Sequence, residues 1–529
     1  MMKFIKLISV SFLLILFCLN SSRGQIKLGS PFTDHMVLQQ GMSVPVWGTA
    51  SQGEKIIATL NNQTQNTTAN ETGKWEIRFK NLKAGGPYEL KITGKNSITL
   101  TDVYVGEVWL CSGQSNMDMT VAKEDRYWCG VFNEAQEVAS ANYPLIRLFY
   151  AKFSPNLVPQ NQVEGIWEVC SPSTAGHFSA AAYFFGRNLY QHMKVPIGLL
   201  VTTYGASTAE AWTSRSALQS NPNLSFLLEN FKQKLDKFYV DSADIMNKYR
   251  NALTQWTGDE ARAKAETGDV QANQNKKTSK KPRDPEPWVD QHNPTVLYNG
   301  MVAPLIPYAI RGTIWYQGES NGPTAKIYRT IMETMITDWR KAWNQGTFPF
   351  IYVQIANHQT PVTDPVKDDP MVYVREGQLL NLSISNTAMV SAIDNADPDN
   401  PGNIHPKNKQ EIGLRLAKAA EGLVYKEKIT YMGPIYQKMK IEGNAIRLYF
   451  SFTGKGLIAK DDKITGFAIA GEDKKFVWAN AKIDGNTVVV SCPDITKPVA
   501  VRYGWSKNPP VSLYNQDGLP ASPFRTDSW

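Results

Sequence analysis

Apolar and polar positions alternate in short runs over residues 25–102. In Trp75-Glu76-Ile77-Arg78-Phe79 every second residue is apolar, which is the pattern of a strand with one buried face. Turn sequences such as Asn70-Glu71-Thr72-Gly73 separate such runs. Short strands at regular spacing predict a small β-sandwich over residues 25–102.

From residue 103 onward, continuous apolar runs alternate with helical patterns. The apolar runs lie at 103–111, 197–203, 310–315, 350–355 and 388–393, and helical patterns such as 179–193 and 407–423 lie between them. Unbroken apolar runs of this length are typical of parallel strands buried on both faces. The alternation therefore predicts an α/β domain over residues 103–427.

Two further segments complete the predicted organisation. Residues 215–290 are polar and rich in Lys and Glu, and they end in a proline-rich stretch at 282–287, which predicts a helical insertion in the α/β domain. Strand patterns resume at 445–450, 475–478 and 487–491. They predict a second all-β module over residues 428–529.

The N-terminus has the pattern of a secretory signal peptide. Lys3 and Lys6 precede an apolar run at 7–19, and small residues frame a cleavage site in Ser22-Arg23-Gly24. The run is shorter than the roughly 20 residues that a membrane-spanning helix needs. We therefore expect cleavage near Gly24 and a secreted or periplasmic protein with no membrane span.

Composition excludes several classes of protein. A chain of 529 residues with 42% hydrophobic residues can bury a large core, which excludes a disordered protein. The net charge of +8 is dispersed, so we expect no nucleic-acid partner, and the basic cluster at 276–281 fits a solvated loop. No CxxC motif is present; in an oxidising compartment Cys129 and Cys170 are the preferred pair for one disulfide.

Polar residues follow three of the predicted strands. Ser115 follows the 103–111 run in a glycine-containing turn, which would place its hydroxyl at the carboxyl edge of the sheet, where ligands bind. Trp315-Tyr316-Gln317-Gly318-Glu319-Ser320-Asn321 and Thr203-Tyr204-Gly205-Ala206-Ser207 end two other strands. A helix-capping serine and structural loop networks are the alternative interpretations.

A serine nucleophile needs a base, which is normally a histidine. Of the six histidines, His358 and His405 follow predicted strands, and His405 also opens a helix with Pro406 in its first turn. We therefore expect His405 to be the base.

Three blocks of this sequence resemble the signature blocks of the sialate O-acetylesterases, a family of the SGNH hydrolase superfamily. They are Gly113-Gln114-Ser115-Asn116-Met117, the 315–321 block and Ile404-His405-Pro406-Lys407-Asn408-Lys409-Gln410. The resemblance implies a flavodoxin-like three-layer α/β sandwich with β-rich flanks. It also implies an enzyme that removes O-acetyl groups from sialic acids and needs no metal or other cofactor.

The resemblance also assigns roles to residues. It makes Ser115 the nucleophile and His405 the base, with the N–H groups of Ser115 and Gly205 and the side chain of Gln317 as oxyanion donors. Asn321 is the next candidate for the side-chain donor. The candidate substrate-binding residues are Asn321, Trp212 and Arg375, the last because an anionic sugar calls for an arginine.

The sequence departs from the superfamily pattern at the triad acid. The Asp expected three residues before the histidine is Gly402 here. Either the acid is displaced to Asp397, Asp399 or Asp394, or a backbone carbonyl or a water takes its place beside the histidine. We expect the second arrangement, which is a Ser115–His405 dyad without a carboxylate. A turn with Asx caps and a Ca²⁺ loop are other interpretations of this acidic segment.

Two other functions fit the same residues. One is an esterase for acetylated xylan or another plant glycan, because the same serine–histidine chemistry serves both substrates. The other is a non-catalytic carbohydrate-binding protein, since two β modules and 14 tryptophans suit sugar binding.

Overall fold

The computed structural model describes residues 25–267, 280–366, 368–460 and 463–529. The predicted signal peptide, residues 1–24, lies outside these ranges, as does most of the basic cluster at 276–281. None of the helices in the described ranges is long and apolar enough to cross a membrane.

Antiparallel strands form the N-terminal region. A three-stranded sheet has the order β1 (Lys27–Leu28), β3 (Val44–Thr49), β6 (Lys74–Phe79). Exposed and buried residues alternate strictly along β6, as its sequence predicts. A second set pairs β4 (Lys55–Leu60) with β5 (Gln63–Thr68) and β7 (Gly85–Thr93).

One long strand joins this region to the rest of the fold. β8 (Ser97–Gly113) pairs with β7 through its first part, and β2 (Val37–Gln39) runs parallel to its middle. Its last part is the central strand of the next sheet. The predicted change of pattern near residue 103 therefore falls inside a strand and not at a linker.

The central sheet is parallel except at one edge. Its order is β10-β9-β11-β8-β12-β13-β14, and only β10 is antiparallel to its neighbour. Every residue of β11 to β14 is buried, which confirms a mixed α/β region. The bounds are β9 (Tyr143–Tyr150), β10 (Trp167–Cys170), β11 (Ile197–Thr203), β12 (Gly312–Tyr316), β13 (Phe350–Gln354) and β14 (Thr387–Ser391).

Helices connect and cover these strands. α3 packs against α8, where a Cβ at Gly413 would lie 2.3 Å from the Cβ of Phe184, so only glycine allows this approach. α6 packs against α7. The bounds are α1 (Ser115–Asp118), α2 (Glu134–Ala139), α3 (Ala180–Met193), α6 (Tyr328–Trp343), α7 (Pro370–Leu380) and α8 (Lys409–Leu423).

Two helices occupy the described part of residues 215–290. They are α4 (Arg215–Ser220), capped by the hydroxyl of Ser214, and α5 (Ser225–Thr267). The helical direction of α5 is interrupted at Asp241, whose φ and ψ are −116° and 17°. From residue 280 to residue 295 the chain forms no helix or strand, and a π-helical turn (Tyr298–Val302) and a 3-10 turn (Ala303–Leu305) then precede β12.

The C-terminal region is all-β, as the sequence predicts. One antiparallel sheet contains β15 (Ile435–Glu442), β16 (Ala445–Ser451), β21 (Thr487–Ser491) and β20 (Asn480–Asp484). Another contains β19 (Phe476–Trp478), β18 (Phe467–Gly471), β22 (Pro498–Tyr503) and β24 (Phe524–Arg525). The short strands β17 (Leu457–Ala459) and β23 (Leu513–Asn515) pair with each other.

The expected disulfide between Cys129 and Cys170 is wrong. Cys111, Cys129, Cys170 and Cys492 are all buried free thiols. The Cys129 sulfur lies 3.2 Å from a carboxylate oxygen of Glu124, and that of Cys170 contacts the Ala141 carbonyl. The two sulfurs are therefore engaged by different neighbours.

Candidate active site

The candidate site lies at the carboxyl edge of the parallel sheet. Ser115 begins α1 two residues after β8 ends, and β11 and β12, which flank β8, end at the same level. Gly113, at φ 145°, allows this turn: a Cβ there would lie 2.2 Å from the carbonyl oxygen of Tyr316. Parallel strands thus bring the segments predicted from sequence to one edge.

Ser115 and His405 are hydrogen-bonded although 290 residues separate them. The Nε2 atom of His405 lies 2.8 Å from Oγ of Ser115. Ser115 is 5% exposed, and the imidazole is half-buried. The ring of Trp128 stacks on the imidazole with centroids 5.2 Å apart, and Arg126 covers that indole at 4.7 Å. A serine paired with a histidine in this way has the geometry of a nucleophile and its base.

The surroundings of His405 keep it neutral. Burial, together with the positive charge of Lys409, lowers the pKa of His405 from 6.5 to about 4. Both effects disfavour the imidazolium. A neutral imidazole is the form that can accept the serine proton.

None of the three candidate triad acids reaches His405. Asp397 accepts hydrogen bonds from the Lys407 N–H at 2.7 Å and from Asn403, Asp394 pairs with Arg415, and Asp399 is exposed. Over the described part of the chain, no carboxylate accepts a hydrogen bond from Nδ1 of His405. The proposals of Asp397, Asp399 and Asp394 as displaced acids are therefore contradicted by the geometry.

The loop before α8 holds His405 through its backbone instead. Asn403 accepts the His405 N–H at 3.0 Å and donates to the His405 carbonyl at 2.8 Å. Asn403 also donates to Asp397. Asp397 thus stabilises the loop that carries the histidine.

Two backbone N–H groups remain available beside the serine hydroxyl. Within the ranges described, the N–H groups of Ser115 and Gly205 have no protein acceptor. A Cβ at Gly205 would lie 3.8 Å from the Cβ of Ser115, so the two backbones are close. The side-chain amide of Gln114 lies 3.5 Å from Oγ of Ser115. These groups lie near the hydroxyl of Ser115 and are the candidate donors to an oxyanion.

The structure contradicts the expected role of Gln317. Its amide nitrogen donates to the Ser207 carbonyl at 3.1 Å and to Oδ1 of Asn321 at 2.6 Å. Its amide oxygen accepts from Tyr328. Since an amide has only two N–H donors, none is left for an oxyanion.

Asn321 is equally occupied. Its amide nitrogen donates to Glu210 at 2.7 Å and to Thr324 at 2.9 Å, and its oxygen accepts from the Ala209 N–H. Burial of Asn321 is complete. It belongs to a structural network and contacts no open space, so its expected role in substrate binding is wrong.

Arg375 and Trp212 are also buried structural residues. The Arg375 guanidinium donates to four backbone carbonyls, and burial lowers its pKa to about 10. Trp212 is fully buried, donates to Ser207 and packs edge-to-face on Trp315. Neither side chain can reach a substrate, so both expected assignments are wrong.

Sequence reasoning missed a buried polar network behind the serine and histidine. Asn116 donates to Glu319 at 2.6 Å and to the Ile404 carbonyl at 3.0 Å, and it accepts from Nζ of Lys409 at 2.9 Å. Lys409 also donates to the Pro406 carbonyl. The network therefore ties the residue after Ser115 to the residues on both sides of His405.

The signal for this network was present in the sequence. Asn116, Glu319 and Lys409 all lie within the three blocks that carry the family resemblance. Burial lowers the pKa of Lys409 to about 7 and raises that of Glu319. Among the described residues, no group of three or more His, Cys, Asp or Glu side chains could hold a metal ion.

Comparisons with known proteins show which proteins this chain resembles. Residues 286–421 match a family model described as carbohydrate esterase, sialic acid-specific acetylesterase. The sialate O-acetylesterases of Mus musculus and Homo sapiens are 28% and 27% identical, over 94% and 97% of this chain and 94% of each relative. A crystal structure of a carbohydrate acetylesterase from Xanthomonas citri is 32% identical, with a TM-score of 0.77, covering 96% of this chain and all of that one.

The fold, the serine–histidine pair and these matches define the protein as a carbohydrate esterase. The similarity extends over nearly the whole length of the chain and of its relatives. The chain belongs to the sialate O-acetylesterase family.

Proposed function

We propose that this protein removes O-acetyl groups from sialic acids through an acetyl-enzyme formed on Ser115. The observation that carries this proposal is the 2.8 Å hydrogen bond between Oγ of Ser115 and Nε2 of His405 at the carboxyl edge of the sheet. The relatives named sialate O-acetylesterases support the choice of sugar.

The chemistry follows from the positions of these groups. His405 takes the proton of Ser115 while Oγ attacks the acetyl carbonyl, and the N–H groups of Ser115 and Gly205 stabilise the tetrahedral oxyanion. Each such donor contributes about 10²–10³ in rate. His405 then protonates the departing sugar oxygen, and water attacks the acetyl-enzyme in the same manner.

Gln114 replaces Gln317 in our assignment of the side-chain oxyanion donor. Its amide nitrogen lies beside Oγ of Ser115, and its amide oxygen accepts from the N–H groups of Gly318 and Ser320 at 3.3 and 3.2 Å. These two bonds fix the orientation of the amide. The donor would therefore be positioned before substrate arrives.

The finer features of fold and location are part of the same proposal. The strand order β11-β8-β12-β13-β14 supports a flavodoxin-like SGNH hydrolase domain, here assigned to residues 103–427 between β modules at 25–102 and 428–529. The N-terminal pattern of residues 1–24 supports secretion or periplasmic location after cleavage near Gly24.

A second candidate is an acetyl esterase for neutral plant glycans such as xylan. The observation in its favour is the burial of Arg375, which removes the arginine expected to bind a sialate carboxylate. The catalytic groups would be the same. The two candidates differ only in the sugar that carries the acetyl ester.

The test of the catalytic assignment uses Ser115→Ala and His405→Asn with p-nitrophenyl acetate. We expect both variants to lose at least about 10³ in kcat, and a fluorophosphonate to label the wild type but not Ser115→Ala. Acetylated sialic acids and xylo-oligosaccharides, compared by mass spectrometry, then distinguish the two candidates. Wild-type turnover by Ser115→Ala would refute the assignment.

A further inference from the structure

A large cavity opens beside the candidate site. It has a volume of about 820 Å³, within the range of small-molecule binding pockets, and lies between α5 and the chain at residues 283–293. Tyr204 lines it, and the next residue, Gly205, is the one that approaches the Cβ of Ser115. The cavity therefore begins one residue from a contact of the nucleophile.

Two stacked aromatic rings line this cavity. Phe153 and Tyr204 stack with centroids 3.7 Å apart and ring planes 15° apart, and both line the cavity. Across the described ranges, the Tyr204 hydroxyl makes no hydrogen bond to protein. The electron-rich face of an aromatic ring attracts the C–H groups of a pyranose, and a free phenol can bond to a sugar hydroxyl.

The charges around the cavity are nearly balanced. Three cations, Lys234, Lys237 and Arg283, line it together with four carboxylates, among them Asp241 and Asp290. Asp290 also bonds to His292 at 2.7 Å. Such a surface offers many donors and acceptors to hydroxyl groups but no net positive field for a carboxylate.

We propose that this cavity binds neutral sugar residues that adjoin the acetylated one, so that the preferred substrate is a glycan chain and not a free monosaccharide. The proposal rests on the esterase function proposed above and extends it to the rest of the substrate. The acetyl ester would lie at Ser115 while the neighbouring sugar packs on an outer face of the Tyr204–Phe153 stack, since the inner faces cover each other.

The experiment compares long and short substrates of the same acetylated sugar. The pairs are O-acetylated sialyllactose against free O-acetylated sialic acid, and acetylated xylotetraose against acetylated xylose. For the pair that the enzyme hydrolyses, we expect kcat/KM to be about tenfold higher for the longer member. Tyr204→Ala and Phe153→Ala should each reduce this preference about fivefold or more, as expected for loss of one stacking contact.

The controls separate binding in the cavity from damage to the site. All rates are divided by those on p-nitrophenyl acetate, which carries no sugar. Tyr204 is the chain neighbour of Gly205 and Phe153 is not, so a loss of preference in Phe153→Ala cannot come from a disturbed Gly205 backbone. Tyr239→Ala is the matched control, because Tyr239 is an exposed ring of α5 that does not line the cavity. This variant should keep the preference for the longer substrate. Equal kcat/KM for long and short substrates would overturn this inference alone, whereas no hydrolysis of any acetylated sugar would overturn the proposed function as well.

Discussion

Replacing Lys409 by methionine should move the acid limb of the pH–rate profile upward. Lys409 is completely buried, and its ammonium bonds to the carbonyl of Pro406, next to His405. Its pKa of about 7 means that it is charged at pH 4 to 6, where it opposes protonation of His405. Methionine keeps much of the packing volume and removes the charge.

The size of the shift follows from the two causes of the low pKa of His405. Burial is the larger cause and the charge of Lys409 the smaller, and together they lower the pKa from 6.5 to about 4. Because burial persists in Lys409→Met, we expect less than half of the depression to be recovered. The acid limb should move from about pH 4 to about pH 5.

The assay is kcat/KM for p-nitrophenyl acetate between pH 3.5 and 8, which reports the pKa of the base in the free enzyme. Activity falls as His405 is protonated, so a lower pKa extends activity to lower pH. Lys407→Met is the matched control, since it removes a nearby cation that does not act on His405. An unchanged limb in Lys409→Met, or an equal shift in Lys407→Met, would refute the reasoning.

Three further outcomes test the rest of the structure. Asp399→Asn should leave kcat within about twofold, because the Asp399 side chain is exposed. Asp397→Asn should lower kcat by about tenfold and also lower Tm, because it loosens the loop that carries His405; kinetics and thermal unfolding measure both variants. Arg375→Met should lower the free energy of unfolding by at least about 3 kcal/mol in urea titrations, since four carbonyls lose their donor. Iodoacetamide in denaturant without reductant should label Cys111, Cys129, Cys170 and Cys492, which are free thiols in the structure, and a mass consistent with a disulfide between any two of them would contradict it.

The sequence was sufficient to predict where the chemistry lies. Ser115 follows a strand of continuous apolar residues, and parallel strands present their carboxyl ends at one edge. The scarcity of histidine then favoured His405, and the structure brings the two side chains together. Long periodic patterns and rare residue types carry this information without knowledge of tertiary contacts.

The direction of polar side chains could not be predicted in the same way. Gln317 and Asn321 follow a strand just as Ser115 does, yet they bond to each other and to neighbouring backbone. Arg375 depends on the carbonyls of Ser506 and Lys507, which lie 131 and 132 residues away in the C-terminal region. Whether a polar group faces a ligand or the protein is decided by such distant partners.

The missing acid shows how the same limit applies to mechanism. In a serine triad a carboxylate orients the histidine and stabilises its charge. With Gly402 in place of that Asp, the sequence leaves the nearby Asp394, Asp397 and Asp399 as the candidate carboxylates. The structure instead orients His405 by backbone bonds to Asn403, by stacking on Trp128, and by a network that joins Asn116 to the carbonyls around it. This arrangement fixes the ring without a neighbouring negative charge, so the imidazolium formed during catalysis is less stabilised than in a triad. Burial and the charge of Lys409 lower the pKa of His405 to about 4, and no carboxylate among the described residues offsets them, so the pH profile is the most direct measure of this site.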